Sequence, residues 1–249
     1  MDPLKQRIME YWTRRADSFC DQRMRELVDP KRERWLAELQ RYLPKDGGRL
    51  RVLDLGTGTG YFAFLFAADG HDVVGIDLTA HMIEKAKEAS ETLGLPVDFR
   101  VMDAEHPDLE EENFDVLVTR NLTWTLPHLP AAYHEWYHLL KPGGVLINFD
   151  ADYANYAELN DPDNLPENHA HKNIPRDMSE ENDEITMEVA AYQQPRPQWD
   201  VQLLLMLGAH GVSLRVCGAA DPSQGPWEPG ALRAALSLGG GHIHSCERS

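Results

Sequence analysis

The chain has 249 residues, 42% of them hydrophobic and 26% charged, which suits one large globular domain with a real core and excludes a peptide or disulfide mini-scaffold. No apolar run approaches the length of a membrane span, and Cys20, Cys217 and Cys246 are too few and too scattered for a disulfide framework or a zinc knuckle. A net charge of −17 repels phosphate backbones and anionic lipid, so nucleic acid and membrane are not expected as partners.

The start, Met1-Asp2-Pro3-Leu4-Lys5-Gln6, has no apolar stretch behind a basic one, so no secretory signal and a cytoplasmic location are expected. Charge is uneven along the chain. Residues 1–51 hold 13 Lys/Arg against 9 Asp/Glu, whereas 103–119 hold 7 acids and 151–186 hold 10, opposed there only by Lys172 and Arg176. A basic front end thus meets acidic loops.

In chain order, Ile8, Tyr11, Trp12 and Phe19 recur at helical spacing after Asp2-Pro3, and Trp35, Leu36, Leu39, Tyr42 and Leu43 do so after Asp29-Pro30. Asp caps and Pro opens a first turn, so two amphipathic helices are predicted over the first 49 residues. From Arg51 the period changes. Residues 52–55, 72–76, 97–101, 114–118 and 145–149 are short β-prone runs, and 61–68, 79–93 and 129–140 are helical patterns between them. Strand-helix-strand order gives a doubly wound α/β fold with a mostly parallel sheet. Residues 151–198 break the rhythm with five prolines among many acids, and read as a lid insert over the surface. A helix at 199–207 and a strand at 212–216 follow, after which prolines and the run Gly239-Gly240-Gly241 obscure the pattern. No internal repeat and no second domain are evident.

The chemistry concentrates where strand 52–55 runs into Gly56-Thr57-Gly58-Thr59-Gly60 and then a helix. Glycines allow a tight turn and close approach of a ligand to the backbone, and the helix N–H groups favour an anionic group. The spacing is GxGxG with Tyr61 next, a poorer match to the dinucleotide fingerprint, and no GK[ST] follows. Asp77 and Asp103 end the next two strands, along the crevice where open α/β sheets bind ligands, and two acceptors there suit a nucleoside. Asp77 is also placed to cap the helix at 79–93, although Thr79 is the more ordinary cap, and Asp103 to cap a short turn.

The run from Val52 to Gly60 resembles motif I of class I S-adenosylmethionine-dependent methyltransferases, and the resemblance covers roughly residues 50–150. Asp77, 23 positions after Asp54, matches that family's ribose-binding acid, Asp103-Ala104 the acid near the adenine amine, and Leu140-Lys141-Pro142-Gly143-Gly144 the turn before strand five. The resemblance implies S-adenosyl-L-methionine as cofactor, a seven-stranded Rossmann-like sheet, and a cofactor site of Asp54, Gly56, Thr57, Gly58, Gly60, Asp77, Leu78, Met82, Asp103, Ala104 and Asn121. It also implies a long antiparallel last strand, for which only His242-Ile243-His244 offers a candidate. Methyl transfer is an in-line displacement needing alignment and desolvation rather than a metal. The segment from Thr119 to Pro127 lacks the Asn-Pro-Pro-Tyr type sequence of amino-methylating nucleic-acid enzymes, so a small-molecule acceptor is expected. Candidate residues near it are Tyr11, His128, Tyr153 and Tyr156, with His134 a weaker base; the buried stripe of a helix is the competing account of Tyr11. His169 and His171 on a Pro-rich loop are a poor metal pair, and no metal is assigned. A dinucleotide oxidoreductase, a non-catalytic adenosylmethionine-binding module and aminocarboxypropyl transfer are the rival readings.

Overall fold

The computed structural model describes residues 2–45, 48–151, 174–217 and 233–239. Asp2 accepts a hydrogen bond from the Leu4 N–H and Pro3 opens α1 (Pro3–Val28), which ends where Asp29 turns extended ahead of Pro30. There follow α2 (Lys31–Gln40), β1 (Arg51–Leu55), α3 (Tyr61–Ala68), β2 (Asp72–Asp77), α4 (Ala80–Leu93), β3 (Asp98–Val101) and β4 (Phe114–Arg120). After a 3-10 turn at Thr123–Thr125 come α5 (Leu129–Leu139), β5 (Leu140–Ala151), α6 (Arg176–Glu188), α7 (Gln198–Met206), β6 (His210–Cys217) and β7 (Arg233–Gly239).

The sheet order is β3-β2-β1-β4-β5-β7-β6. β1 to β5 pair in parallel, and β7 lies antiparallel between β5 and β6. The chain therefore winds outward from β1 to β3 and then crosses to β4 on the other side of β1. That reversal makes the carboxyl ends of β1 and β4 the crevice of the sheet. Alternating side chains of the parallel strands feed two cores. Leu53, Leu55, Ile76, Leu117 and Leu146 face α5, α7 and part of α1. Val52, Val73, Val116 and Ile147 face the all-apolar α3, with Trp35 of α2 set edge-on against Phe62 and Phe149. α4 buries only Met82, Ile83, Ala86 and Ala89 and stops at Gly94 in the left-handed conformation.

Two sequence expectations change. The strand antiparallel to its neighbours is formed by residues 233–239, while His242–His244 lie outside the described residues. The insert predicted as a polar excursion is, from residue 174 onward, part of the fold: Ile185, Val189 and Ala191 are buried in the core with Tyr11 and Leu129. Its acids are not simply solvated, because Glu181, Glu184 and Glu188 face Arg14 and Arg7 of α1 at 2.5, 3.7 and 2.6 Å. No helix among the described residues is long and apolar enough to cross a membrane.

Candidate cofactor and acceptor site

The turn between β1 and α3 needs its glycines. Gly56, Gly58 and Gly60 have φ of +64°, +56° and +90°, the region that L side chains avoid. A Cβ on Gly56 would stand 2.7 Å from Leu122, just past β4, and one on Gly58 would stand 3.2 Å from Phe19 of α1. The turn is thus roofed by a residue of β4's junction and by the N-terminal helix. Two carboxylates hold it from below. Asp54, 3% exposed, accepts from Thr57 Oγ1 at 2.7 Å and from the Ala63 N–H at 3.1 Å. Asp77 accepts from the Gly58 N–H at 3.0 Å and the Thr79 N–H at 2.8 Å. Burial pushes the Asp54 carboxyl up to about 7, against the pull of the Thr57 and Ala63 bonds and with a contribution from Asp77. Burial raises Asp77 as well, offset by the same two N–H donors.

Thr79 makes no side-chain cap bond, so Asp77 serves both the glycine turn and the start of α4. Each carboxylate oxygen has a second lone pair, and Asp77, partly exposed, retains acceptor capacity. Beside it opens a cleft of about 840 Å³ lined by Leu78, Val101, Met102 and Asp103 on the sheet side and by Met9 and Thr13 of α1. Asp103 accepts from the Glu105 N–H at 2.9 Å, which is the turn-capping role open to it, and also takes Lys5 Nζ at 2.6 Å. Lys5 reaches Glu105 too, at 2.5 Å. Burial lowers the Lys5 pKa but the two carboxylates outweigh it, and the net shift is upward.

The other expected residues divide. Asn121, at φ +56°, donates its N–H to Phe149 O at the end of β4. Met82 and Ala104 are buried, outside the cleft lining, and Ala104 O accepts from Trp136 Nε1. Tyr11 is 1% exposed and packs in the core, and its hydroxyl has no hydrogen-bond partner among the described residues. The same holds for Thr59 Oγ1 in the glycine turn and Thr119 Oγ1, which sits opposite Leu55 on β4. Orphaned buried hydroxyls cost stability unless something else meets them. His128 does not suit the role of base: its ring is mostly exposed and stands 3.2 Å from Asp2, outside the start of α1. His134 is equally exposed, beside Glu135 and His138. Tyr153, Tyr156, His169 and His171 lie outside the described residues, and no metal-ligand cluster occurs among those described.

Sequence reasoning missed a buried ionic network at the junction of β4 and β5. Arg196 donates from Nε and Nη2 to Asp200 at 2.7 and 2.5 Å and from Nη2 to Thr123 Oγ1 at 2.6 Å. Thr123 Oγ1 and the Trp124 N–H bond Asp150, and Asn148 Nδ2 donates to Thr123 and to the Tyr133 hydroxyl, which donates to Asp200. Only the Arg196/Asp200 spacing of four, after prolines, hints at this in the sequence. On the opposite face Arg120 pairs with Glu26 of α1 at 3.2 Å and stacks over Trp35 at 4.6 Å. α1 is consequently tied down at Lys5, at Arg7 and Arg14, and at Glu26.

Comparison with known proteins agrees with this layout. Residues 52–144 match the family described as a methyltransferase domain. The chain is 37% identical over 115 residues to phosphoethanolamine N-methyltransferase 3 of Arabidopsis thaliana, covering 45% of this chain and 23% of that one. It is 37% identical over 102 residues to the ubiquinone biosynthesis O-methyltransferase of Roseobacter denitrificans, 39% of this chain and 40% of the other. These curated relatives are thus matched over less than half their length. Among solved structures, phosphoethanolamine N-methyltransferase 2 of Haemonchus contortus, in complex with phosphomonomethylethanolamine and S-adenosylhomocysteine, superposes with a TM-score of 0.60 at 18% identity, over 83% of this chain and 52% of that one. A SAM-dependent methyltransferase from Aquifex aeolicus gives 0.54 at 19% identity, over 86% and 95%. The fold is the Rossmann-like methyltransferase fold.

Proposed function

We propose that the chain binds S-adenosyl-L-methionine and methylates a small-molecule acceptor, a reading supported by the match of residues 52–144 to a methyltransferase domain. The observation that carries this reading is the turn at Gly56–Gly60 held between Asp54 and Asp77 at the reversal point of the sheet, next to a cleft ending in Asp103. When bound, the cofactor supplies a methyl group on a sulfonium. Asp77 and Asp103 are the acceptors for its hydroxyls and amine, Leu78 and Met102 the apolar walls for its base, and the turn's backbone the seat of its amino-acid end. Asp54, Thr57 and Asn121 hold that seat in shape; Met82 and Ala104 support it from the core. α1, with Phe19 over Gly58, excludes water, which is the main service this displacement asks of a protein.

The buried Tyr11 hydroxyl is the group we assign to the acceptor side, since it lacks a protein partner while sitting on the covering helix. The small-molecule assignment draws on the −17 charge, unsuited to nucleic acid, and on relatives named for phosphoethanolamine and ubiquinone-pathway methylation. Calorimetry with adenosylhomocysteine and with NAD tests the reading. Binding of the first without the second is expected; the reverse would sink it in favour of an oxidoreductase. Product mass then separates methyl from aminocarboxypropyl transfer, and binding with no turnover on any acceptor identifies a silent binding module.

A further inference from the structure

Lys5 stands in an environment that a helix anchor does not require. Its side chain is 9% exposed, and its ammonium lies 2.6 Å from Asp103 and 2.5 Å from Glu105, some 98 residues away in the chain. Taking an ammonium out of water is costly, and α1 is already held along its length by the more exposed Arg7 and Arg14 pairs with α6. The arrangement around the ammonium is closed on one side only. Glu105, fully buried, spends its other oxygen on the His128 N–H at 2.6 Å. Asp103 spends Oδ1 on the Glu105 N–H, leaving Oδ2 to Lys5 and a side chain 29% exposed toward the cleft. Outside this corner, the charged and titratable residues around the cleft are Arg14, His81 and Glu84, with the pair His128 and Asp2 beyond Glu105.

Lys5 is the cation that Asp103 and Glu105 share. With Lys5 in place Asp103 is fixed in orientation at both oxygens, by Lys5 at Oδ2 and by the Glu105 N–H at Oδ1. An ionised carboxylate offers only lone pairs. It accepts from an amino group and repels a carbonyl oxygen at the same position.

We infer that Lys5 is a positioning residue that makes the cleft selective for a base bearing an exocyclic amino group, by holding Asp103 as an oriented acceptor. The inference rests on the cofactor reading above and extends it to a residue on the covering helix. A residue that merely pins α1 affects every cleft ligand alike, whereas one that sets Asp103 changes the ratio between ligands.

The test is the ratio of dissociation constants for adenosylhomocysteine and its 6-oxo analogue, S-inosylhomocysteine, measured by calorimetry on the full chain. The wild type is expected to favour the amino form by more than about tenfold, the usual reach of a charge-assisted hydrogen bond. Lys5→Met should weaken the amino ligand by roughly tenfold or more and bring the ratio toward one, while Lys5→Arg restores most of the ratio. Should Lys5→Met not fold, Lys5→Leu, which likewise removes both the charge and the donor, carries the same comparison. A ratio unchanged in these variants, whether both affinities fall together or neither does, overturns the role of Lys5. Failure of the wild type to bind adenosylhomocysteine at all overturns the cofactor reading, and this inference with it.

Discussion

Asp54→Asn should change how stability depends on pH more than it changes stability itself. Asp54 is buried, and its carboxyl titrates at about 7 in the folded chain against an ordinary value of 3.8. The folded state therefore prefers the protonated form. The stability this group contributes is fully present below about pH 4 and is lost as pH rises through the folded value. That difference corresponds to about 4 kcal/mol by pH 8, of which roughly 2–3 kcal/mol falls between pH 5 and pH 8. Asn has nearly the same shape and keeps one oxygen, and both bonds at this site, from Thr57 Oγ1 and the Ala63 N–H, converge on the single atom Oδ2. The substitution thus removes the titration while preserving the acceptor. Urea unfolding of wild type and variant at half-unit steps from pH 5 to pH 8 should show the variant gaining roughly 2–3 kcal/mol on the wild type across the range. Because Asp77 contributes to the elevation, Asp77→Asn should move the wild-type loss to lower pH. Parallel curves for wild type and Asp54→Asn would refute the reasoning, since the carboxyl would then ionise as easily folded as unfolded.

Asp77→Ala should weaken adenosylhomocysteine binding by about 1.5–3 kcal/mol, the cost of losing charge-assisted hydrogen bonds, with Asp77→Asn retaining part of it; calorimetry beside circular dichroism checks this, and wild-type affinity or a lost fold would show the assignment wrong. Arg196→Met should lower stability by about 3–5 kcal/mol, because Asp150 and Asp200 are then left buried without their cation, and Arg196→Lys should fall between. An equilibrium urea midpoint within experimental error of wild type would mean that the network is not ionised as drawn.

The elements around the cofactor turn were legible because their signals are local. The glycines after β1, the apolar run of α3 and the Gly94 stop of α4 each dictate backbone geometry within a few residues. β7 was not legible for the opposite reason. Its sequence, Arg-Ala-Ala-Leu-Ser-Leu-Gly, holds no β-branched or aromatic residue, and it becomes a strand because β5 and β6 offer open edges on both sides. Asp77 and Asp103 stand out in the sequence by their place at strand ends, whereas Lys5 is indistinguishable from the other 12 basic residues of the first 51. A charge has no periodicity to betray it when its partner lies a hundred positions away.

The same reasoning explains why residues 174–198 of the acidic segment after β5 join the fold instead of forming a polar excursion. A count of acids measures the cost of concentrating like charge, and taken alone it argues for a solvated loop. That cost is offset where arginines of a neighbouring helix lie opposite, as Arg7 and Arg14 do. α1 has 26 residues and runs about 39 Å at 1.5 Å per residue. That is enough to reach from Asp103 at the end of β3, past the glycine turn, to Arg120 at the end of β4. Along that path it meets carboxylates at both flanks, on Asp103 and Glu105 and on α6. The uneven charge of the chain is therefore a docking device, with the basic helix as the roof of the crevice and the acids as its supports. Most of the supports on α6 are solvent-exposed and individually weak, whereas those at Lys5 and Arg120 are buried. The helix is thus seated by buried ion pairs near its two ends, over β3 and β4, and between them by Ile8 and Tyr11, which are buried in the core.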